Sequence, residues 1–393
     1  MYRVIIYGTG TVFKKLFLGD DMFDWMSNND ISIVGVANTH PDKLSDQHVN
    51  ISDFTYRISH ISDFPADSYD YILVTTPLYF EEIKEYLAGL GISKDIVIDI
   101  NDFIDKIINE TSNCKYTISV AAIVKDEADY IEEWIQFHML MGIEHFYIYD
   151  NESSDGTAEI LKEYEKMGLV TYTFWPGKGQ QAPAYSNAIK RFKNDSVYIA
   201  FIDADEFLFS VAGNKIIDEV NQILDQYNKT RGFDEQLAAG IGVNWIIYGT
   251  SYHLNKSDDL VIRRFILRRK AGKYIKSIYN PRTVARISVH YAIFAPGYCC
   301  ISENGSEIPG PTFRDGKCQK LRINHYMYKS EEEFIERKRK GDAVNDRRRE
   351  SEEYIKNALI AARTSYNEYH DPILVKYGDL VEEAIKKRRS EHM

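Results

Sequence analysis

The chain has 393 residues, of which 44% are hydrophobic and 27% are charged, as is typical of a globular protein with two or three domains. It contains 48 Lys or Arg and 59 Asp or Glu residues, which gives a net charge of −11. This balance argues against duplex nucleic acid as the main partner, because neutralising phosphates requires a surplus of cations. The acidity is concentrated in residues 1–110, which hold 8 basic and 18 acidic side chains.

The cysteines and the apolar runs bear on location. Four cysteines, at positions 114, 299, 300 and 318, lack the spacing of a zinc site or a disulfide framework, which favours a reducing compartment. The sequence contains no run of 18 apolar residues, so no membrane-spanning helix is predicted. Residue 1 leads into the apolar run Val4 to Tyr7 without a basic segment, so no signal peptide is predicted. We expect a cytoplasmic protein.

The first hundred residues alternate apolar runs with helical segments, which predicts a parallel sheet covered by helices. The predicted strands are 4–7, 31–37, 71–75 and 96–98. One predicted helix ends at Leu16, and another covers residues 79–90.

A glycine pair, Gly8 and Gly10, follows the first strand and would let backbone amides approach a phosphate. Phe13 replaces the third glycine of the dinucleotide motif, and Asn38 stands where an NAD site usually has an acidic residue. A tight turn without a ligand is therefore at least as good an interpretation as a nucleotide site. The region resembles the Rossmann-like N-terminal domains of sugar-modifying enzymes in bacterial surface polysaccharide pathways.

Residues 101–117 are polar and are interpreted as a linker, with the boundary at 109–113. A second alternation of strands and helices follows, and from Ser330 onward the chain is charged and helical. We therefore divide the chain into a Rossmann-like domain (1–110), a second α/β domain (111–328) and a helical C-terminal region (329–393). The second alternation predicts strands at 118–124, 145–149, 169–175 and 197–202, and helices at 127–141, 158–167 and 180–191.

The segment FIDADEF carries the strongest chemical signal. An apolar strand delivers Asp203 and Asp205 at its carboxyl end, where open α/β sheets bind ligands. In an extended DxD both carboxylates would lie on one side, and their repulsion would favour a divalent cation such as Mg²⁺ or Mn²⁺. A DxD motif alone is weak evidence of a metal site, because acidic residues that follow strands are often helix caps.

Two further polar clusters follow neighbouring strands. Residues 125–127 follow the first strand of the second domain, and residues 150–157 follow the second strand. Asp155 is expected to cap the helix that begins near Thr157, whereas Asp150 and Asn151 have no evident local role. Three polar clusters should therefore meet at one edge of the sheet.

The second domain resembles the GT-A glycosyltransferase domain, and specifically glycosyltransferase family 92 and its relatives within the family 2 superfamily. The resemblance spans about residues 118–340. It rests on the runs VAAIVKDEADYIEEWIQFHMLMGIEHFYIYDNESSDGT, QQAPAYSNAIKRF and FIDADEFLF, and on Gly242-Val243-Asn244-Trp245 with Gly249, Lys276-Ser277-Ile278, Pro281-Arg282 and Ile323-Asn324-His325-Tyr326.

The resemblance implies inverting transfer of a hexose, commonly galactose from UDP-galactose, to a hydroxyl of a glycan or glycolipid acceptor. It assigns Asp203 to the ribose and the metal, and Asp205 and His325 to the metal, which would be Mn²⁺ or Mg²⁺. His290 is an alternative to His325 as the histidine that binds the metal. Either histidine could instead be a core residue that binds no metal. The resemblance implies that the donor lies near Lys125, Glu127, Asp150, Asn151, Gln181, Tyr185 and Asn187.

A cationic stretch from Val261 to Ser302 holds nine Lys or Arg and no acid. Lys276 or Arg282 could stabilise the departing nucleoside diphosphate. The alternative is that the arginines at 263, 264, 268 and 269 form a solvated face or approach an anionic acceptor. The general base stays unassigned among Glu206, Asp258, Asp259, Glu303 and Asp315.

We therefore expect an α/β glycosyltransferase with a Rossmann-like N-terminal domain, acting in surface polysaccharide assembly. The alternatives are an inactive nucleotide-binding scaffold, which the intact DxD disfavours, and an NAD-dependent oxidoreductase, which the missing ribose-binding acid disfavours. Basic and acidic groups alternate in the C-terminal region, so at most peripheral contact with the inner face of a membrane is expected.

Overall fold

A computed structural model of the protein describes residues 1–391 apart from 18, 233–234, 271, 315 and 341–350, together with the side chains of all of these except residues 340 and 391. These residues form two compact units. The first unit comprises Met1–Asn113, Pro281–Arg286 and Ala292–Tyr298, and the second unit comprises Cys114–Asn280, Ile287–Tyr291 and the described part of Cys299–Met393.

The first unit contains a sheet of strand order β3-β4-β2-β1-β5-β6, parallel except for β3 at the edge. Val4, Ile6, Val36 and Leu73 are buried between the sheet and its helices, as the alternating pattern predicts. The elements are β1 (Tyr2–Tyr7), α1 (Thr11–Leu16), α2 (Asp21–Asn28), β2 (Ile31–Ala37), β3 (His48–Ile51), β4 (Phe54–Ser59), β5 (Tyr71–Val74), α3 (Phe80–Gly89), β6 (Val97–Asp99) and α4 (Ile100–Ile108).

The interpretation of residues 101–117 as a linker is wrong for its first half. Helix α4 occupies Ile100–Ile108, and Asp99 caps it by accepting a hydrogen bond from the Asn101 backbone N–H at 2.8 Å. Phe103, Ile104 and Ile107 are buried on one face of the helix. Their spacing of three and four residues is that of an amphipathic helix, which the high polar content of the segment concealed.

The second unit contains a mixed sheet of order β11-β18-β12-β14-β10-β7-β8-β9, with β17 also paired to β12. From Cys114 onward the strands are β7 (Tyr116–Val124), β8 (His145–Asp150), β9 (Val170–Phe174), β10 (Ser196–Phe201), β11 (Glu206–Ser210), β12 (Leu237–Ile247), β13 (Leu267–Arg268), β14 (Ile275–Tyr279), β15 (Val284–Ile287), β16 (Ala292–Phe294), β17 (Tyr298–Ile301), β18 (Leu321–His325) and β19 (Tyr369–His370). The helices are α5 (Ile131–Leu140), α6 (Thr157–Lys166), α7 (Gln181–Phe192), α8 (Ile216–Asn228), α9 (Val261–Arg264), α10 (Glu331–Lys340), α11 (Glu352–Arg363) and α12 (Gly378–Glu391).

The predicted strands and helices between residues 118 and 202 are confirmed, with shifts of a few residues at their ends. The largest shift is in α5, which begins at Ile131 rather than near Glu127, because residues 127–130 form a turn closed by the Ile131 N–H donating to the Glu127 carbonyl at 2.8 Å. Segments Pro281–Arg286 and Ala292–Tyr298 belong to the first unit, where the Trp25 indole N–H donates to the Arg282 carbonyl at 2.7 Å.

The predicted helical character after Ser330 is confirmed by α10, α11 and α12. Helix α12 packs on α5, where Arg388 and Arg389 both donate to the buried carboxylate of Glu132. Among the helices of the described residues, none has the length and apolar character needed to span a bilayer.

Replacing Gly249 by Ala is expected to lower the free energy of unfolding by about 1–3 kcal/mol. A Cβ there would lie 2.3 Å from Asn367 Oδ1 and 2.7 Å from the backbone oxygens of Ala362 and Tyr366, and backbone cannot yield easily. Urea unfolding measures the loss. Gly89→Ala is the control, since its Cβ would meet nothing within 4 Å; equal stabilities of both variants would contradict the steric account.

Candidate active site

The carboxyl ends of β7, β8 and β10 meet at one edge of the sheet, because these three strands run parallel. The loops that follow β7 and β8 are joined by hydrogen bonds. The Asp126 N–H donates to Ser153 Oγ at 2.9 Å, and the Glu127 N–H donates to Thr157 Oγ1 at 2.8 Å. The prediction that polar clusters converge at this edge is confirmed.

Residues of the second loop have local structural roles. Asp155 accepts hydrogen bonds from the Thr157 N–H at 3.0 Å and from the Ala128 N–H at 3.0 Å, so it bonds the first N–H of α6 from the position before Gly156, which is the N-cap residue. Asp150 accepts from the Tyr172 hydroxyl at 2.8 Å and from the Ser153 N–H at 3.1 Å. Asn151 donates to the carbonyls of Trp175 and Gly177, both at 2.8 Å. The statement that Asp150 and Asn151 lack a local role is therefore wrong.

The DxD segment forms a turn between β10 and β11 rather than an extended strand end. The Glu206 N–H donates to the Asp203 carbonyl at 3.0 Å, and the Asp203 N–H donates to Glu206 Oε2 at 2.9 Å. The turn gives Asp203 and Asp205 different partners, described below. The expectation that both carboxylates lie side by side is therefore wrong.

Asp203 is the centre of the first cluster, which joins four of the predicted donor residues. Its Oδ1 accepts hydrogen bonds from Gln181 Nε2 at 2.6 Å, from the Tyr185 hydroxyl at 3.2 Å and from Lys276 Nζ at 2.8 Å. Gln181 and Tyr185 lie on the first turns of α7, on the same face. Strand register brings Lys276 here, because β14 runs antiparallel to β10 with Ser277 opposite Phe201.

Lys276 is completely buried together with Glu206, whose Oε2 lies 4.0 Å from Nζ. Burial alone would lower the pKa of Lys276, but the charges of Asp203 and Glu206 raise it well above its usual range. Burial and the neighbouring Asp203 and Asp205 carboxylates raise the pKa of Glu206, against the effect of Lys276. Lys276 is thus a fixed cation that neutralises carboxylates on both sides of the turn.

Asp205 is the centre of the second cluster. Its Oδ1 lies 3.3 Å from His325 Nε2, and its Oδ2 accepts a hydrogen bond from Arg337 Nη1 at 2.7 Å. Antiparallel pairing of β11 with β18 sets Glu206 opposite His325, which brings the histidine to the turn. Burial alone would raise the pKa of Asp205, but His325 and Arg337 hold it well below its usual range.

Glu127 and Lys329 lie beside the second cluster. Lys329 Nζ is 3.5 Å from Glu127 Oε2 and 3.3 Å from the centre of the Tyr130 ring. Burial and the charge of Asp205 raise the pKa of Glu127, whereas Lys329 and Arg337 lower it. Glu127, Asp205, Lys329 and Arg337 therefore share one electrostatic environment.

His290, the competitor of His325, is held by a contact of 3.1 Å between its Nδ1 and the Ile275 carbonyl. Burial and the charge of Lys276 lower its pKa to about 4, so it is neutral at pH 7. Trp245 lies between the two histidines, with its ring centre 5.1 Å from that of His290 and 4.5 Å from that of His325. Of the two, His325 is the one in contact with Asp205.

Three other predicted donor residues are Lys125, Asn187 and Arg282. Lys125 is exposed, and Asn187 accepts a hydrogen bond from the Tyr149 hydroxyl at 2.8 Å. Arg282 belongs to the first unit, where its carbonyl accepts from Trp25 and from Asn29.

Among the general-base candidates, Glu303 accepts backbone N–H groups of residues 319–321 and has a structural role. Glu206 is buried beside Lys276, and Asp259 pairs with Arg263 at 3.4 Å. Asp258 is exposed, and Asp315 lies outside the described residues. The structure leaves the general base unassigned.

Several arginines of the cationic stretch make intramolecular ion pairs, whereas Arg269 donates a hydrogen bond to the Tyr366 hydroxyl at 3.2 Å. Arg263 pairs with Asp379 and Glu382 of α12, and Arg268 pairs with Asp371. Arg264 is buried and pairs with Glu333 at 3.0 Å. The interpretation of these residues as a solvated face or an acceptor contact is therefore wrong for Arg264, which holds α9 to α10.

Glu333→Gln is expected to lower the free energy of unfolding by about 3 kcal/mol at pH 7, because Arg264 would remain buried without its counter-ion. Burial alone would raise the pKa of Glu333, but hydrogen bonds from Arg264, Ser330 and Tyr130 lower it to about 2. A lowered pKa stabilises the fold above the unfolded value of 4.5, and this contribution disappears as the pH falls from there towards 2.

The difference between wild type and Glu333→Gln should therefore narrow below pH 4.5, as measured by urea unfolding at pH 7, 4.5 and 3. A difference that stayed constant over this range would show that the carboxylate charge is not what stabilises this contact.

The fit of these residues to a divalent metal is partial. Asp205 and His325 supply a carboxylate oxygen and an imidazole nitrogen close together, which is a donor set that Mn²⁺ accepts. Oδ1 of Asp203 is bonded to Gln181, Tyr185 and Lys276. Within the described parts of the chain, no three or more His, Cys, Asp or Glu side chains are grouped so as to hold a metal ion.

The sequence reasoning missed Arg337 and Lys329 as site residues. Both follow the Ile323-to-Tyr326 motif closely, and a cation soon after a motif histidine is the signal that could have found them. Arg337 was instead counted with the charged C-terminal region, where helices are usually solvated. Its Nη2 also donates to the Met327 carbonyl, which fixes the guanidinium against the end of the site.

The second unit has the form of a GT-A-like nucleotide-sugar transferase domain: a mixed sheet with a DxD turn after a central parallel strand and polar loops at the same edge. The sequence profile of glycosyltransferase family 92 matches residues 115–358, and a C2185-like N-terminal domain profile matches residues 1–98. The chain belongs to glycosyltransferase family 92.

Individual relatives match parts of the chain. A family 92 protein of Oryza sativa subsp. japonica is 30% identical over 106 residues, which are 27% of this chain and 18% of that protein. A β-1,4-galactosyltransferase of Caenorhabditis elegans is 27% identical over 252 residues, or 59% of this chain and 53% of that protein. The chain thus spans less than a fifth of the rice protein and about half of the nematode enzyme.

Among solved structures, S. aureus TarS 1–349 is 12% identical with a TM-score of 0.31, covering 62% of this chain and 69% of that one. TarS 1–349 in complex with UDP is 13% identical with a TM-score of 0.27, covering 42% of this chain and 47% of that one.

Proposed function

We propose that the protein transfers a hexose, with galactose the first candidate, from a UDP-sugar to a hydroxyl of a glycan or glycolipid acceptor, with inversion at the anomeric carbon. The observation that carries the proposal is the DxD turn, at which Gln181, Tyr185 and Lys276 meet on Asp203 while His325 meets Asp205. Galactose is favoured by the nematode relative, which is a β-1,4-galactosyltransferase.

In this proposal Asp203 receives the ribose of the donor, held in place by the hydrogen bonds of Gln181 and Tyr185. Lys276 keeps Asp203 and Glu206 neutralised, so that the site can accept an anionic donor without repulsion from these carboxylates. A bound Mn²⁺ or Mg²⁺, held by Asp205 and His325, would supply positive charge to the diphosphate. The acceptor oxygen bonds to the anomeric carbon as the bond to the β-phosphate oxygen breaks, and a base takes the acceptor proton.

A panel of nucleotides tests the substrate class. Calorimetric titration of the intact protein with UDP-galactose, UDP-glucose, GDP-mannose, NAD and NADP, in buffer containing Mn²⁺, should give a binding isotherm with UDP-sugars. Tight binding of NAD with no response to any sugar nucleotide would contradict the proposal and favour the oxidoreductase alternative. An Asp203→Asn variant is the control, since it should weaken UDP-sugar binding.

Acceptor and location stay predictions from the sequence. We propose a glycan or lipid-linked glycan acceptor in the assembly of a surface polysaccharide, and a cytoplasmic protein with at most peripheral membrane contact. Co-sedimentation with anionic liposomes that is strong at low salt and lost at high salt would contradict the prediction that membrane contact is weak.

A further inference from the structure

The candidate site contains more cations than a metal-binding DxD needs. Four carboxylates, those of Glu127, Asp203, Asp205 and Glu206, are met by Lys276, Lys329 and Arg337 as well as by His325. These cations already neutralise most of the acidic charge. A nucleotide-sugar donor brings two further negative charges on its diphosphate, and a side-chain cation that can face the diphosphate would help to stabilise them.

The three cations differ in the exposure of their side chains and in the groups that they contact. The side chain of Lys276 has no exposed surface and lies between Asp203 and Glu206. The side chain of Lys329 is only 8% exposed and lies over the Tyr130 ring. The side chain of Arg337 is 33% exposed, and its acidic partner among the described residues, Asp205, is itself a candidate metal ligand. Arg337 is therefore the cation with both solvent access and a partner that another cation can take over.

The guanidinium group suits this task chemically. It is planar, always charged and able to donate two parallel hydrogen bonds to a phosphate, and it is less strongly hydrated than an ammonium group. The hydrogen bond that Arg337 Nη2 donates to the Met327 carbonyl keeps the head group at the end of β18, next to His325. A diphosphate bound beside Asp205 and His325, the residues that would hold a metal ion, would therefore lie within reach of Arg337.

We propose that Arg337 binds the β-phosphate of the donor and stabilises the nucleoside diphosphate as it leaves. The inference rests on the proposed function, because it takes the donor to be a nucleotide sugar. In the absence of donor, the same guanidinium neutralises Asp205. Helix α10 thus supplies a substrate-binding residue to a site that is otherwise built from β10, β14, β18 and α7.

The test uses UMP and UDP, which differ only in the β-phosphate, in calorimetric titrations of the intact protein with Mg²⁺ present. Arg337→Gln is expected to weaken UDP binding by about 10-fold or more while changing UMP binding less than about 2-fold, since a charged hydrogen bond is lost for UDP alone. Arg337→Lys, which keeps the charge without the planar fork, should fall between Arg337→Gln and wild type.

The matched control is Arg339→Gln. Arg339 lies on the same helix, is 59% exposed and pairs with Glu352 at 3.2 Å, so its loss should change neither affinity. Thermal melting of each variant checks that the fold is retained.

Three outcomes would overturn the inference. Equal weakening of UMP and UDP by Arg337→Gln would show a structural role, and unchanged UDP binding would show no role at the phosphate. If wild type bound neither UMP nor UDP while remaining folded, the proposed function itself would fail, and this inference with it. The first two results leave the proposed function standing, so the two failures are distinguishable.

Discussion

Asp205→Asn is expected to reduce sugar transfer by about 100- to 1,000-fold in a protein that stays folded. The substitution keeps the shape of the side chain but removes the charge that His325 and Arg337 contact. An amide oxygen is also a poorer ligand than a carboxylate for a hard divalent cation. UDP release from a UDP-sugar measures the turnover, and Mn²⁺ binding followed by electron paramagnetic resonance measures the metal affinity independently of activity.

Two comparisons make this result specific. His325→Ala should reduce Mn²⁺ affinity less than Asp205→Asn, because it removes a neutral ligand. Asp129→Asn, at an exposed ion pair with Lys256, should leave both turnover and Mn²⁺ affinity unchanged. Near-normal Mn²⁺-dependent turnover in Asp205→Asn would refute the assignment of Asp205 to the reacting end of the site.

Lys276→Met is expected to lower the free energy of unfolding by about 3–5 kcal/mol, the largest stability change that we expect from a single side chain here. The substitution removes the buried cation that lies between Asp203 and the fully buried Glu206, so that the carboxylate of Asp203 loses its counter-ion beside a second acidic side chain. Denaturant unfolding at pH 7 measures the loss.

Lys256→Met is the matched control, because Lys256 also pairs with an aspartate, but at an exposed position. Its loss should cost at most about 1 kcal/mol. If the two lysine variants lost the same small amount, burial of Lys276 between the two carboxylates would not be energetically important, and the account of this cluster would be wrong.

The edge of the sheet at which the site lies could be predicted from sequence alone. Apolar runs ending in Lys125, Asp150 and Asp203 identify parallel strands and their carboxyl ends, and this local pattern needs no knowledge of tertiary contacts. The family motifs added His325 and Lys276. The direct contacts of Lys276 with Asp203 and of His325 with Asp205 confirm that these distant residues meet at the turn.

The partners within the site could not be predicted, because they depend on strand register. Whether His325 faces Asp205 is decided by the pairing of β11 with β18, and a shift of one residue would turn it to the opposite face. The local turn at Asp203 was missed for a related reason. The Glu206 side chain accepts a hydrogen bond from the Asp203 N–H, whereas the prediction assumed that the motif is an extended strand. Arg337 was missed because a charged helix usually faces solvent.

The most direct test of the central claim is turnover of the sugar donor by the wild-type protein. Incubation of the intact protein with Mn²⁺ and a panel of UDP- and GDP-sugars, followed by quantification of free nucleoside diphosphate, should show release from a UDP-hexose, and chelation of the metal should reduce it. A folded protein that released no nucleoside diphosphate from any donor, with or without a mixture of glycan acceptors, would contradict the claim that the DxD turn forms a working nucleotide-sugar site.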